Sequence, residues 1–362
     1  MTDGVYPFSR ANASDFTTGQ TLTHTHVTTL DKNAAAGADG SLWTDIAIAQ
    51  NWIGSETQAN YGHAILWSDV NEQWFSFGVN AGNPLVANRN IGSAAFATSG
   101  TVDAGAGLTP RCAVEGPSIM VMGGTPGSAS TSKLRSATTG SAWTARTTNA
   151  SGTEGVRCLG YHTGTTQFVA GLDNTAATNM EYSTNGTSWT QITGLPNTNP
   201  RGAFASNGSI MVVMPYNTST NKCITATTAS GTWTERTLPA TQIWHGVHWS
   251  PTYSLFIALG ASSLAYSADG ITWSAVTGAP SVTPAGSVML GRTMVWGYTG
   301  TGNTIRIGRV VSAVFSEAQV INLGANTPRG FGVANSSTGL KQIMIADSAG
   351  IHRWTVAGGS LL

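Results

Sequence analysis

One position of the chain recurs with a basic side chain. In the segments GHAILW, PRCAVE, VRCLGY, PRGAFA, WHGVHW, PAGSVM and PRGFGV the second residue is His63, Arg111, Arg157, Arg201, His245, Ala285 and Arg329. Four of the thirteen arginines fall in this column of seven (four Lys and thirteen Arg make up the 17 basic residues). A guanidinium offers a planar fork of donors that fits carboxylate and phosphate, and an imidazole titrates near neutrality. The column is therefore a candidate ligand-binding set for an acidic glycan, a phosphate group or an acidic partner segment. The same arginines could instead bond carbonyls of a neighbouring repeat and be inherited with it. The residues alone leave both readings open.

Other groups that could do chemistry are sparse. A glycosidase needs two carboxylates converging across a cleft, and Asp69, Glu115 and Asp173 stand at different positions relative to the column. No GxSxG elbow, HExxH run or phosphate loop occurs, so no catalytic residue is nominated. Cys112, Cys158 and Cys223 form no CxxC and are read as free thiols. His24 and His26 alternate in a HxH element, a poor metal site by itself; no metal and no cofactor is expected. Trp67, Trp249, Trp296, Tyr161 and Tyr298 could stack on sugars, but Trp67 and Trp249 hold equivalent places, which favours packing.

The column sits at the start of a repeat of roughly 40 to 50 residues. The clearest copy, WHGVHWSPTYSLFIALGASSLAYSADGITWSAVTGAP, holds a small-residue strand, an apolar strand, a third ending in SADG and a fourth beginning at Trp273. Seven starts of this pattern predict seven four-stranded antiparallel sheets. The last copy has only three strands, and GSLWTDIA at Gly40 to Ala47 matches the fourth-strand pattern GTWTERTL at Gly231 to Leu238. The N-terminal segment is thus expected to complete the sheet that starts at Arg329, which removes a free sheet edge.

SADGITW at Ser267 to Trp273, and the variant STNGTSW at Ser183 to Trp189, resemble the Asp-box of the sialidase-like (BNR) β-propellers. The resemblance implies an all-β, seven-bladed propeller over 32–362, preceded by an extended arm over 1–31. It implies structural roles for Asp269, Asn185 and their tryptophans, on the face opposite the ligand site. The sialidase Arg-Ile-Pro motif is missing, which argues against hydrolysis.

Charged residues make up 9% of the chain, against a usual value of about 25%, and the net charge is zero. That excludes global attraction to nucleic acid or anionic membrane and leaves local patches. No apolar stretch approaches the ~18 residues that would span a bilayer, and the N-terminus carries no secretory pattern. Propellers of this kind occur in phage virion proteins and in lectins. The expectation is therefore a non-enzymatic structural or adhesion protein of a bacteriophage particle, attached to tail or capsid. The arm would meet other virion proteins and the ring a host surface glycan or acidic ligand, with assembly in the host cytoplasm. The alternatives are a free glycan-binding lectin and a glycoside hydrolase.

Overall fold

The computed structural model describes Gly54–Thr57 and, apart from short loop segments, residues 62–356. The arm over 1–31, the HxH element and Gly40 to Ala47 lie outside the described residues.

Seven four-stranded antiparallel sheets are formed. They begin, in order, at Ala64–Ser68, Leu108–Glu115, Val156–His162, Pro200–Ser206, Trp244–Ser250, Pro284–Leu290 and Pro328–Asn335. Each of these first strands packs against the first strands of the sheets before and after it, and the seventh packs against the first, so they form a closed inner ring.

The second strands show why the sequence reads as it does. Leu255–Gly260 is buried at every position but its first, and Met211–Pro215 and Gln167–Leu172 are buried throughout. Covered by sheets on both faces, such strands need continuous apolar runs rather than alternation. The fourth strands, such as Thr144–Arg146, lie at the rim and carry exposed side chains.

Closure differs in detail from the sequence expectation. The fourth strand of the seventh sheet is Gly54–Thr57, paired antiparallel with Ile351–Val356 in the register Gly54↔Trp354 to Thr57↔Ile351. It is not Gly40 to Ala47. In two other sheets the fourth strand passes to the next inner strand over a short link, from Gln242 to Trp244 and from Gly324 to Pro328.

The turns between third and fourth strands are tied by side chains. Asp269 Oδ1 accepts from Ile271 N and Thr272 N, both at 2.8 Å, and from the Ser267 hydroxyl at 2.9 Å. Gly270 N donates to Ser267 Oγ at 2.8 Å, and Gly270 has φ +72°, where a side chain would be strained. Asn185 reproduces this turn, accepting from Thr187 N and Ser188 N at 2.9 Å, with Gly186 at φ +71°. The following tryptophans fill the gaps between sheets. Trp273 packs with Val212 and Met214 of the preceding sheet, and Trp189 with Val121. No helix among the described residues is long and apolar enough to cross a membrane.

Candidate ligand-binding face

The recurring basic column coincides with a backbone irregularity. Pairing of first and second strands slips between Pro110 and Cys112, Val156 and Cys158, Trp244 and Gly246, Pro284 and Gly286, and Pro328 and Gly330. In each case the residue left out of register is the column residue: Arg111, Arg157, His245, Ala285 or Arg329. In the fourth sheet the slip between Pro200 and Ala203 takes in Arg201. His63 immediately precedes its strand, its N donating to Phe77 O at 2.8 Å. A β-bulge bends the strand and re-aims the extra side chain. The fold thus places all seven positions at the start of the inner strands, on one face of the ring, the bulge face. The Asp269-type turns lie at the other end of the strands, on the box face.

The basic side chains of the bulge face are not equivalent. Arg111 and Arg329 are exposed, whereas Arg157 and His63 are partly buried. Arg157 Nε donates to Asp173 Oδ2 at 2.7 Å, and its Nη2 donates to the same oxygen. Arg111 Nε donates to Thr125 Oγ1 at 2.5 Å. Thr125 and Asp173 are equivalent, each standing one residue beyond the partner of the residue before the bulge. These bonds run within one sheet. The sequence offered a signal for this partner position, a polar residue at or just beyond the end of the apolar second strand.

His63 lies between two arginines of adjacent sheets. Burial, then the charges of Arg329 and Arg111, hold its pKa below the ordinary histidine value. His245 is lowered by burial alone. The Arg201 side chain lies outside the described residues.

The box face brings together carboxylates that the sequence leaves apart. Glu115 Oε2 accepts from Asp69 N at 2.6 Å, and its Oε1 accepts from the Ser68 hydroxyl. Burial raises the Glu115 pKa against these bonds. Asp69 Oδ1 accepts from Trp67 Nε1 at 2.7 Å. Glu115 thus caps the hairpin of the sheet before its own, because inner strands of adjacent sheets run side by side. His162 links sheets in the same region, through Ser206 Oγ at 2.7 Å and Thr227 O at 3.0 Å. An open cleft of about 390 Å³ lies between the second and third sheets, lined by Arg146, Asn149, Ser188 and Trp189.

Four of the five aromatic candidates pack on other rings. Trp67 meets Trp74 edge-on at 5.5 Å, Trp249 meets Phe256 at 4.7 Å, Tyr161 meets Phe168 at 4.9 Å and Trp296 meets Phe315 at 5.2 Å. The three cysteines are free. Burial pushes the Cys158 and Cys223 thiols up to about 12. Among the described residues no three His, Cys, Asp or Glu side chains are grouped to hold a metal.

The chain is similar to the Cps50 (Swd1) β-propeller domain of Myceliophteria thermophila, at 8% identity and TM-score 0.63 over 85% of this chain and 99% of that one. The chain is a β-propeller. It is also similar to YCF48 bound to D1 peptide, at 11% identity and TM-score 0.58 over 84% of this chain and 94% of that one. A chain of the mitotic checkpoint complex matches at 12% identity and TM-score 0.58, over 82% of this chain and 90% of that one. At these identities the likeness carries the propeller fold, with its four-stranded antiparallel blades, and no activity. No protein-family model matches the sequence, and no curated protein is similar to it in sequence.

Proposed function

We propose that the chain is a seven-bladed propeller of the Asp-box type that works without catalysis, as a structural or adhesion component of a virus particle. Its bulge face, carrying His63, Arg111, Arg157, Arg201, His245 and Arg329, meets acidic groups of a host surface glycan or of another particle protein. The observation that carries this reading is the register slip at the same residue in six of the sheets. It sets basic side chains on one face of a ring whose sequence is otherwise neutral and poor in charge. The seven sheets and the side-chain ties at Asp269 and Asn185 support the Asp-box assignment. The structure of YCF48 bound to D1 peptide is a precedent for a propeller that takes a peptide.

Binding to a panel of acidic and neutral glycans and peptides at two ionic strengths tests the face. Acidic ligands are expected to bind and to weaken as salt rises. Equal binding of neutral ligands, or release of reducing sugar from a glycoside, overturns the reading. Antibodies to the chain are expected to decorate intact particles from the producing culture, and failure to do so overturns the particle assignment.

A further inference from the structure

We propose that an acidic ligand is gripped at one sector of the bulge face, Arg329, His63 and Arg111, and that it carries two acidic groups, one for each arginine. This rests on the reading of the bulge face as the binding surface and narrows it. The sector spans three consecutive inner strands, from the seventh, first and second sheets, each packed against the next. The basic side chains differ in exposure around the ring. Arg157 is neutralised in place by Asp173, Ala285 carries no charge, and His245 is partly buried. Arg329 and Arg111 are exposed and flank His63.

The backbone holds this sector tightly. A Cβ on Gly330 would stand 2.5 Å from Gly62 O, so the residues beside Arg329 and beside His63 are in direct backbone contact. Arg329 and His63 therefore spring from adjacent points, with Arg111 on the far side of His63. Two like charges on either side of an imidazole disfavour its protonation, and a bound anion reverses that field. Binding is then coupled to proton uptake by His63. Among the described residues, one other charged group on the strands against it, Asp347, stands at this end, paired with Pro328. Glu115 is at the opposite end of its strand with Ser68 and Asp69, and Lys341 stands at the far end of its strand, paired with Asn335. Asp347 is buried, with Oδ1 accepting from Ala349 N. The charges that act on His63 are those of Arg329 and Arg111.

The ligand could be a free polyacid or a run of acidic side chains, which share this chemistry. Titration calorimetry with citrate and with a glutamate-rich hexapeptide separates the two sources, and binding of either supports the sector. With the full chain, Arg329→Gln together with Arg111→Gln is expected to weaken binding about tenfold or more, and Arg157→Gln to leave it within about twofold. Affinity is expected to rise from about pH 7.5 to about pH 5.5, and His63→Gln to abolish most of that rise while binding persists. Melting temperatures show that the variants are folded. Equal losses in Arg157→Gln and the double variant overturn the sector and leave the whole face standing. Unchanged binding in every variant, or no binding of either probe, overturns the binding face itself.

Discussion

Arg157 and Asp173, sixteen residues apart, are joined by an ion pair across the top of one sheet, at the site where register is lost. The equivalent pair one sheet earlier is Arg111 and Thr125, a bond to a hydroxyl. A single change of partner, carboxylate for hydroxyl, makes an ion pair in one sheet and a bond to a neutral group in the other. Both side chains of the ion pair retain some exposure, 19% and 25%, so solvent screens it. Asp173→Asn is therefore expected to change stability by less than about 1 kcal/mol. It is also expected to strengthen binding of acidic ligands on the bulge face. Thermal melts with a salt series of binding measurements check both.

The turn at Asp269 depends on a charged acceptor. Hydrogen bonds led by that from Thr272 N hold the Asp269 carboxyl below the usual aspartate range. A depressed carboxylate pKa gives stability that is full above the unfolded-state value and is lost as pH falls through the folded one. Asp269→Ala is expected to cost about 1 kcal/mol, while Asp269→Asn, which Asn185 shows to be compatible with this turn, costs less. Trp273→Ala, emptying the space between two sheets, should cost about 3–5 kcal/mol. Urea denaturation of the three variants gives the order, and an Asp269→Ala loss equal to that of Trp273→Ala refutes it.

Acid should weaken the ring through its buried histidines. His248, with Nε2 against Ser287 Oγ at 2.8 Å, is held down to about 4 by burial, and burial lowers His162 too. The unfolded chain takes up these protons first, so stability is full above about pH 6.5 and declines as pH falls toward the folded-state values. His248→Gln should show a shallower decline over that range than the parent chain. Identical pH profiles in denaturant melts refute the assignment to His248.

Closure by Gly54–Thr57 makes a sharp claim about truncation. A chain beginning at residue 48 should keep its melting cooperativity, because the strand paired with Ile351–Val356 is intact. A chain beginning at residue 62 should lose cooperativity and aggregate, because it exposes a sheet edge. Similar behaviour of the two truncations contradicts the pairing.

The cysteines should prove inert. Cys158 and Cys223, with thiols at about 12, should resist thiol reagents at about pH 8 in the native state and react after unfolding. Three thiols are expected under non-reducing denaturation, and a count of one contradicts free cysteines.

The sequence by itself determined the repeat, because burial between two sheets forces an uninterrupted apolar second strand such as LFIALG. A turn that must reverse the chain forces Ser, Asp or Asn, and Gly at fixed spacing, as at Ser267 to Gly270. It also determined the basic column, since each repeat places that residue at the same distance from its own strands. Only the tertiary structure decided what the column residues touch. Whether a guanidinium meets a carboxylate, a hydroxyl or another cation depends on groups brought close by strand register and by the next sheet, as Thr125, Asp173 and His63 show. The closing strand was decided in the same way. Gly40 to Ala47 has the local fourth-strand pattern, but the strand paired with Ile351–Val356 is Gly54–Thr57, a contact between the two ends of the chain that no local pattern records. Glu115 met Asp69 for a related reason: a closed ring sets adjacent inner strands side by side, so groups distant in sequence become neighbours.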